Sequence, residues 1–532
     1  MQSEKVVTLN KVQSKRSFLI PSIGDFLFLA VFLLISLHSG KNLLNDGDTG
    51  YHIRAGEDIV RTLAIPRYDM FSYLSPPLPW TAHEWLSEVI MALVHKGFGL
   101  TGVVIFFGFF ISLTFYLLFK MIHSDDKNLL VSVFVVILAA AASRMHWLAR
   151  PHIFSMVLLL VWYHILDLYQ YKEKNLLYLL PIIMIVWVNL HGGFMGGFLV
   201  LGAYLLGNMV DSLRQKEEKG KSREKIRAFA VTAVACVAAT LVNPYGYHIL
   251  LFPFQLTSSK VIMDTISEFL SPNFHESYVK AFEGYLLLLL ATLGMSRFKL
   301  NLIEVILITL FLYMSLYSAR YIPLFAIITA PILSRQLNLC LESSESKISK
   351  FIKTRSSNIS AIDSASAGFT WPVATIILVI VLLRMDTILF KFNPETKPMA
   401  AIEFIKKEKI SGNMFNNDEF GDCLIYSAYP MYRVWIDGRI DMYGASQLKE
   451  YNKVTSVRQG WETVLDKYRV SWIIFNANSV LSRHLLIHKD WKLIYADKVT
   501  NIFVKNVPEY RYLIEKYPSV RPVVEDDKKD DA

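Results

Sequence analysis

The stretch NLLNDGDTGYHIRAGEDI, from Asn42 to Ile59, places two acids shortly after a long apolar run. Asp46 and Asp48 are separated by one glycine, and His52 follows them. The run before the stretch, Phe18–His38, is long enough to cross a bilayer. A charge at the centre of a membrane helix costs about 2.5–3.5 kcal/mol, and less near the interface. Acids so close to the lipid boundary therefore predict a polar site at the membrane surface.

The composition of the whole chain indicates a polytopic membrane protein. Of its 532 residues, 53% are hydrophobic and 19% are charged, against about 25% charged in soluble domains. The mean hydropathy is +0.35. Apolar residues gather in runs of roughly 15–25, the length of a membrane span. They predict about eleven transmembrane helices, at Phe18–His38, Leu100–Ile122, Leu129–Ala142, Ile153–Tyr169, Leu176–Leu190, Met195–Leu213, Ala228–Val242, Phe282–Met295, Leu302–Ser315, Tyr321–Leu333 and Phe369–Leu389.

The distribution of Lys and Arg predicts the orientation. Lys5, Lys11, Lys15 and Arg16 precede the first run, which is read as an uncleaved span because it is long and lacks a small-residue cleavage site. Alternate loops are rich in Lys and Arg, so the positive-inside rule places the N-terminus in the cytoplasm and the C-terminal region outside. The formal net charge of +9 lies in these short loops, which argues against nucleic-acid binding.

The domain organisation follows from these runs. We expect a multispan domain over residues 1–390 with a long first outer loop over 40–99, a small extracytoplasmic α/β domain over 391–520, and a disordered acidic tail over 521–532. In the α/β domain, KPMAAIEFIKKEKI predicts a helix, YRVWID and SWIIF predict strands, and WKLIYADKVTNIFVKN predicts a hairpin. Three scattered cysteines predict neither a disulfide framework nor a zinc site.

Unusual polar residues collect in the loops on the predicted outer side, whereas the inner loops are plain Lys-rich linkers. This asymmetry predicts a polar cavity open to the outer face. Taken singly, Arg144 and Arg150 could be interfacial anchors, and the histidines could be satisfied packing residues. The residues concerned are Asp46, Asp48, His52, Arg54, His83, Glu84, Arg144, His146, Arg150, His152, Asn189, His191, Asn243, His248, Glu268, His275 and Arg320.

The acids of the opening stretch have three interpretations. Asp48 or Asp46 could act as a general base toward an incoming hydroxyl or amine. Together they could bind a divalent cation such as Mg²⁺ or Mn²⁺, since hard cations prefer carboxylate oxygens. Alternatively, one of them only caps the helix that follows. In AHEWLSE, His83 and Glu84 lack the HExxH spacing, and the segment could equally be an interfacial helix with Trp80 and Trp85 at the headgroups.

The chain resembles the GT-C class of integral-membrane glycosyltransferases, and more narrowly a group of bacterial multispan proteins related to that class. The motifs that carry the resemblance are NDGDTGYHIRAGEDI in the first outer loop, IPRYDMFSY, PWTAHEWLSEV, NPYG, EFLSP, and FNNDEFGDCLIY with VWIDGRIDMYG in the C-terminal region. The resemblance implies the bacterial cytoplasmic membrane, a polyprenyl-phosphate-linked sugar donor, and a lipid, glycan or protein acceptor on the outer face.

The resemblance also implies roles for residues. An acid of the first outer loop, here Asp48 or Asp46, acts as base or holds a metal, and outer-face basic residues hold the donor phosphate. By location, the residues expected to contact phosphate or substrate are Arg144, Arg150, Arg320, His52, His83, Glu84 and His191. The Asp-Gly-Asp spacing differs from the adjacent acids of protein mannosyltransferases, and the WWD motif of oligosaccharyltransferases is absent from the sequence.

Two other functions compete with glycosyl transfer. A transporter or flippase for a lipid-linked glycan would need polar residues deep within several spans and two related halves, and the sequence shows neither. A non-catalytic scaffold of a polysaccharide assembly complex would not need Asp48 for activity. DGRIDMYG could face the cavity, or be a turn held by an Asp437–Arg439 pair.

Overall fold

The computed structural model describes residues 17–126, 128–214, 219–364, 366 and 369–523. The N-terminal basic residues and the end of the predicted acidic tail, from residue 524, lie outside this part. In order of the chain, the first fifteen helices are α1 (Ile23–Leu33), α2 (Thr49–Thr62), α3 (Trp85–Asp126), α4 (Leu129–Ser143), α5 (His152–Lys172), α6 (Leu179–Leu190), α7 (Met195–Arg214), α8 (Lys219–Thr240), α9 (His248–Ser258), α10 (Lys260–Thr265), α11 (Lys280–Met295), α12 (Leu302–Tyr317), α13 (Ile322–Glu342), α14 (Lys347–Asp363) and α15 (Thr370–Arg384).

Seven helical segments of the described chain are long and apolar enough to cross a membrane. They are Ile23–Leu44, Trp85–Asp125, Leu129–His146, His152–Lys172, Gly192–Arg214, Ser277–Met295 and Ala319–Glu342, and the shorter apolar helices are Leu179–Leu190, Leu302–Tyr317 and Thr370–Arg384. The protein is therefore an integral membrane protein with a mostly helical body. The number of eleven spans stays a prediction.

Helix α3 is broken at Gly99, whose φ of +63° lies in the left-handed region that favours glycine. The part after the break matches the span predicted at Leu100–Ile122. The part before it packs against α2, the helix of the opening stretch. A Cβ atom at Gly56 of α2 would overlap the backbone carbonyl of Glu88 on α3, so this close approach requires glycine.

The C-terminal region contains the remaining elements and a four-stranded sheet. Its helices are α16 (Met399–Glu408), α17 (Asp418–Ala428), α18 (Ile440–Thr455), α19 (Trp461–Lys467), α20 (Val480–Ile487) and α21 (Arg511–Lys516), and its strands are β1 (Asn413–Asn416), β2 (Val470–Asn476), β3 (Trp491–Ala496) and β4 (Thr500–Lys505). The order is β1-β2-β4-β3, with β1 parallel to β2 and the other pairs antiparallel. Its division from the spans into a separate domain stays a prediction.

The secondary structure predicted for this region is confirmed in three places and wrong in one. The helix at α16, the strand SWIIF within β2, and the hairpin of β3 and β4 are present. YRVWID is not a strand of the sheet. Instead Val434 forms an isolated parallel bridge with Ser72 of the first loop, and its backbone N–H donates to the carbonyl of Phe71 at 3.0 Å.

A buried ionic cluster ties the C-terminal region to the first loop. The Arg439 Nη2 donates to Asp69 at 2.7 Å and to Asp437 at 2.6 Å, and all three side chains are almost completely buried. The guanidinium also lies 4.9 Å from the ring centroid of Phe71 and 4.7 Å from that of Trp80. Trp80 is thus a buried packing residue.

Candidate functional site

A cavity of about 570 Å³ lies where three membrane helices begin and the first loop meets the C-terminal region. This volume is in the range of small-molecule sites. Glu84 comes directly before α3, Arg150 two residues before α5, and Arg320 two residues before α13. The end of the helix bundle that carries this cavity is called the cavity end below.

Most of the residues predicted for the site line this one cavity. Asp46, Asp48, His83, Glu84, Arg150 and Arg320 are in its wall. His52 and His191 do not line the cavity, but both lie next to the carboxylate of Glu84, which does. Arg144 is exposed at the start of a 3-10 turn and is not in the wall, because that turn directs His146 rather than Arg144 toward the interior.

The guanidinium of Arg150 joins three carboxylates that come from two segments of the chain. Its Nη2 lies 2.8 Å from Asp48 Oδ2, its Nη1 lies 2.8 Å from Glu268 Oε1, and Nη1 also contacts Asp46 Oδ2. Arg150 and its partners are mostly buried, with side chains 15–23% exposed. Burial acts to lower the pKa of Arg150, but the three carboxylates raise it well above its usual value. Arg150 therefore stays charged and organises the acids of the site.

The two acids of the opening stretch have different local roles. Asp48 is the N-cap residue of α2, but its side chain makes no capping hydrogen bond, so the interpretation of Asp48 as a mere cap is wrong. Asp46 uses Oδ1 to accept the backbone N–H of Asp48 at 2.9 Å, while its Oδ2 contacts Arg150. Asp46 thus positions the backbone of Asp48.

A further carboxylate, Asp422 of α17, lies beside Asp48. A Cβ atom at Gly438 would overlap Asp48 Oδ1 and lie 3.0 Å from Asp422 Oδ2, so the two oxygens flank this glycine. Asp422 Oδ1 accepts the backbone N–H of Gly438 at 3.0 Å. Burial and the neighbouring Asp48 carboxylate raise the pKa of Asp422 well above its usual value. The C-terminal region therefore supplies a second acid, Asp422, next to Asp48.

The pKa values of the site acids differ because their charged partners differ. Burial raises the pKa of Asp48, Arg150 opposes this, and Asp46 and Glu268 raise it further, so the net shift is strongly upward. For Glu268, burial also acts upward, but Arg150 and Arg320 lower the pKa well below its usual value. A raised pKa is what a general base needs, whereas Glu268 remains an ionised partner of Arg150.

Glu84 is the centre of a second polar group. Three imidazoles approach its carboxylate through Nε2: His191 at 3.4 Å, His52 at 3.6 Å and His83 at 3.7 Å. The Nδ1 of His52 lies 3.3 Å from Glu88 Oε1. Burial raises the pKa of Glu84 and lowers the pKa of His52 and His191. Their environment thus favours the neutral forms of all three groups.

The orientation of His191 follows from its neighbours. The backbone N–H of Gly193 donates to His191 Nδ1 at 2.9 Å, and Ser155 Oγ lies 2.7 Å from the same nitrogen. Because Nδ1 is an acceptor, the neutral ring carries its hydrogen on Nε2, which faces Glu84. His191 is therefore a positioned partner of Glu84.

Two cations of the cavity wall, Lys397 and Arg320, differ in whether an acidic side chain lies close to them. Lys397 is buried, with a side chain 4% exposed, and its Nζ lies 3.4 Å from Glu419 Oε2. Arg320 lies 5.2 Å from the ring centroid of Phe269. Within the described residues, Arg320 makes no hydrogen bond and no ion pair. It is the cation of the wall that is most available to an anionic ligand.

Both alternatives for the segment DGRIDMYG are present: it forms a turn held by an Asp–Arg pair, and part of it faces the cavity. Asp437 and Arg439 form the buried pair described above, which holds the turn. Gly438, Ile440 and Asp441 line the cavity. Asp422 and Lys397 were not predicted, and Asp422 reaches the site only because α17 packs against α2.

The carboxylate oxygens of Asp46 and Asp48 are not arranged to bind the predicted metal ion. The Oδ2 atom of each acid faces the guanidinium of Arg150, which also takes the nearby oxygen of Glu268. Within the described residues, the one group of three whose ligand atoms lie together is Glu462, His488 and Asp490 on the C-terminal region. That group does not line the cavity.

Comparison with known proteins identifies the fold. No protein-family model matches the chain, and no curated protein sequence matches it. Among solved structures, it is similar to the archaeal oligosaccharyltransferase AglB from Archaeoglobus fulgidus in complex with an inhibitory peptide and a dolichol-phosphate, with a TM-score of 0.52 and 12% identity, over 85% of this chain and 69% of that one. The fold expected from the resemblance to the GT-C class is thus confirmed.

Two further solved structures match over most of the chain. The Archaeoglobus fulgidus oligosaccharyltransferase in the apo form has a TM-score of 0.48 and 10% identity, over 92% of this chain and 74% of that one. ArnT from Cupriavidus metallidurans bound to undecaprenyl phosphate has a TM-score of 0.46 and 12% identity, over 91% of this chain and 98% of that one.

Proposed function

We propose that the protein is a membrane glycosyltransferase that moves a sugar from a polyprenyl-phosphate-linked donor to a lipid, glycan or protein acceptor. One observation carries the proposal: a mostly buried carboxylate with a raised pKa, Asp48, lines the same cavity as Arg320, a cation that has no acceptor among the described residues. Transfer needs both, because a base must take a proton from the acceptor while a cation stabilises the departing phosphate.

The reaction uses these groups in one displacement. The acceptor hydroxyl or amine attacks the anomeric carbon of the donor sugar, and its proton passes to Asp48. The bond between that carbon and the phosphate oxygen breaks, and polyprenyl phosphate leaves with the electron pair. Arg320, with Lys397 on the same wall, stabilises the negative charge on the phosphate. A single displacement inverts the configuration at the anomeric carbon.

The position of the cavity suits a lipid-borne donor. It lies at the beginnings of α3, α5 and α13, where apolar helices meet polar loops. The polyprenyl tail can stay in the surrounding lipid while the sugar phosphate enters the cavity. We place the cavity end on the outer face of the bacterial cytoplasmic membrane, with the N-terminus in the cytoplasm, because the inner loops are rich in Lys and Arg.

The test is an Asp48→Asn variant, expressed in a deletion strain and checked for insertion and amount. Mass spectrometry compares surface glycans and polyprenyl-phosphate sugars with those of the wild type. The control is Asp58→Asn, on the same helix α2, because Asp58 pairs with Arg61 and does not line the cavity.

We expect Asp48→Asn to lose the glycan modification and to accumulate the lipid-linked donor, and Asp58→Asn to restore the wild-type pattern. Normal glycans with Asp48→Asn, in a strain whose deletion changes them, would contradict the role of Asp48. They would favour the scaffold function, which does not need this acid.

A further inference from the structure

We infer that Arg150 takes the position a divalent cation would take among the site acids, so that this acid cluster is organised by a guanidinium and not by a resident metal. The inference concerns the cavity of the proposed function, but it does not depend on sugar transfer. It is carried by the contacts of Arg150 itself.

The geometry of the guanidinium accounts for the arrangement of the acids. Both terminal nitrogens of Arg150 are used: Nη2 by Asp48 at 2.8 Å, and Nη1 by Glu268 at 2.8 Å and by Asp46. A planar guanidinium presents several donors in a fixed fork, so it can bridge carboxylates as a metal does. The oxygens that would be the ligands of Mg²⁺ or Mn²⁺ are thereby already bound.

The charge around the cluster leads to the same conclusion. A divalent cation among these oxygens would lie within a few ångströms of the guanidinium, and burial strengthens their repulsion. Burial also keeps water from screening the existing contacts, since the Arg150 side chain is only 16% exposed. One guanidinium already contacts all three carboxylates, Asp46, Asp48 and Glu268. The cluster therefore needs no second cation.

The consequence is a gain of metal binding when Arg150 is removed. Without the guanidinium, Asp46, Asp48 and Glu268 would leave several carboxylate oxygens facing one space, which is the donor set that Mn²⁺ prefers. In Arg150→Lys, one ammonium keeps a positive charge in that space, so this variant should not gain a site.

The experiment measures Mn²⁺ binding by electron paramagnetic resonance, with the full chain purified in detergent and stripped with a chelator. All proteins carry His488→Ala, so that the group Glu462, His488 and Asp490 cannot contribute. The comparison is between this background alone and the background with Arg150→Ala, Arg150→Lys or Arg320→Ala. Arg320→Ala is the matched control, because it removes a cation of the same wall that makes no ion pair within the described residues.

We expect no saturable Mn²⁺ site in the background, in Arg150→Lys or in Arg320→Ala. Arg150→Ala should gain one site, which is lost again when Asp48→Asn is added. One Mn²⁺ bound by the background and abolished by Asp46→Asn or Glu268→Gln would overturn the inference, as would an Arg150→Ala protein that gains no site.

The background measurement decides the question even where Arg150→Ala does not accumulate. Because donor and acceptor are absent from the assay, a failure of this inference leaves the proposed sugar transfer untouched. Conversely, a failure of the Asp48→Asn glycan test leaves the binding result valid.

Discussion

At the scale of single residues, the site depends on how Asp48 is surrounded. Its Oδ2 lies 2.8 Å from Arg150 Nη2, and its Oδ1 flanks Gly438 together with Asp422. Burial, with Asp46 and Glu268, favours the neutral form of Asp48, while the contact with Arg150 favours its charged form. The balance gives an acid that stays in place and keeps a raised pKa, as a base requires.

Replacing the second acid should change the pH dependence of transfer. Asp422→Asn removes the acid whose charged form repels that of Asp48, so we expect the pKa of Asp48 to fall. Transfer requires ionised Asp48, so the acid limb of the kcat/KM profile should move to lower pH. The rate on the plateau should fall, since a weaker base accepts the proton less readily.

The control for this profile is Asp418→Asn. Asp418 lines the same cavity, but its carboxylate accepts the hydroxyl of Tyr451 at 2.9 Å. An acid limb that moves equally in both variants, or that does not move in Asp422→Asn, would show that Asp422 has a structural role only.

The glycine beside the acid pair gives a steric test. In Gly438→Ala the new methyl group would overlap Asp48 Oδ1 and approach Asp422 Oδ2 to 3.0 Å. We expect a loss of transfer of about 100-fold, the effect of misplacing a reacting group by about 1 Å. Gly284→Ala on α11, where no atom apart from the neighbouring helix backbone lies within 4 Å of the new Cβ, should keep the wild-type rate. Equal rates in the two variants, measured on purified protein, would contradict the placement of Asp48.

The sequence predicts some of these residues better than others. Asp48, Arg150 and Arg320 are found because charges next to apolar runs are rare and costly. Asp422 is not found, since it lies on an amphipathic helix of a polar region, where an acid is ordinary. Only the contact between α2 and α17 shows that it faces Asp48. Arg144 has the same sequence signal as Arg150 but lies outside the cavity.

At the scale of elements, the cavity depends on the turn that carries Arg439. This turn joins the C-terminal region to the first loop through Asp69 and Asp437. The pairing places Gly438 and Asp441 in the cavity wall. The buried cluster thus holds one side of the site in position, without contacting the cavity itself.

Breaking this cluster should destabilise the protein strongly. Arg439→Met leaves two buried carboxylates without their cation, which costs about 3–5 kcal/mol. The matched control is Arg511→Met, because Arg511 makes an exposed pair with Glu515 at 4.0 Å, worth about 0–1 kcal/mol. Thermal unfolding of the purified proteins measures both. Similar midpoints for the two variants would contradict the role of the cluster.

The same cluster predicts that the stability of the protein decreases at low pH. Burial acts to raise the pKa of Asp69, but Arg439 lowers it below its usual value. A lowered pKa in the folded state contributes stability above the unfolded value of about 3.9, and this stability is lost as the pH falls through the folded pKa. Asp69→Asn should therefore flatten the decrease in unfolding midpoint below about pH 4. An unchanged decrease would show that other acids cause it.

Elements are predicted well where their pattern is local. The strand SWIIF is correct because a run of β-branched and aromatic residues packs on both faces of β2, whose Trp472, Ile473 and Ile474 are fully buried. YRVWID has the same composition but pairs with the first loop, because Ser72 and not a sheet strand lies beside Val434. Composition predicts the extended backbone but not its partner.

At the scale of the whole molecule, the orientation can be tested by labelling. In a variant without native cysteines, Lys489→Cys lies after α20 on the C-terminal region, and Lys347→Cys lies at the start of α14. Both positions are exposed. We expect a membrane-impermeant maleimide to label Lys489→Cys in intact spheroplasts, and to label Lys347→Cys only after the membrane is opened. The reverse pattern would place the cavity end in the cytoplasm.

The fold class is predictable from the sequence because long apolar runs are unmistakable, whereas the number of spans is not. Helices α6, α12 and α15 are apolar but short, and α8 begins with a charged segment, so that only its second part is apolar. A hydropathy pattern cannot distinguish a short span from a helix packed inside the bundle. The motifs that carry the resemblance predict the fold without requiring that count.

The most direct measurement of the central claim is the release of polyprenyl phosphate by purified protein. Lipid-linked sugars extracted from the native membrane, together with membrane acceptors, are incubated with wild type and Asp48→Asn, and mass spectrometry follows the lipids. Wild type should convert polyprenyl-phosphate sugar to polyprenyl phosphate, and Asp48→Asn should bind the donor without converting it. Conversion at equal rates by both proteins, or by neither while a glycan defect in the deletion strain is restored by both, would contradict the account.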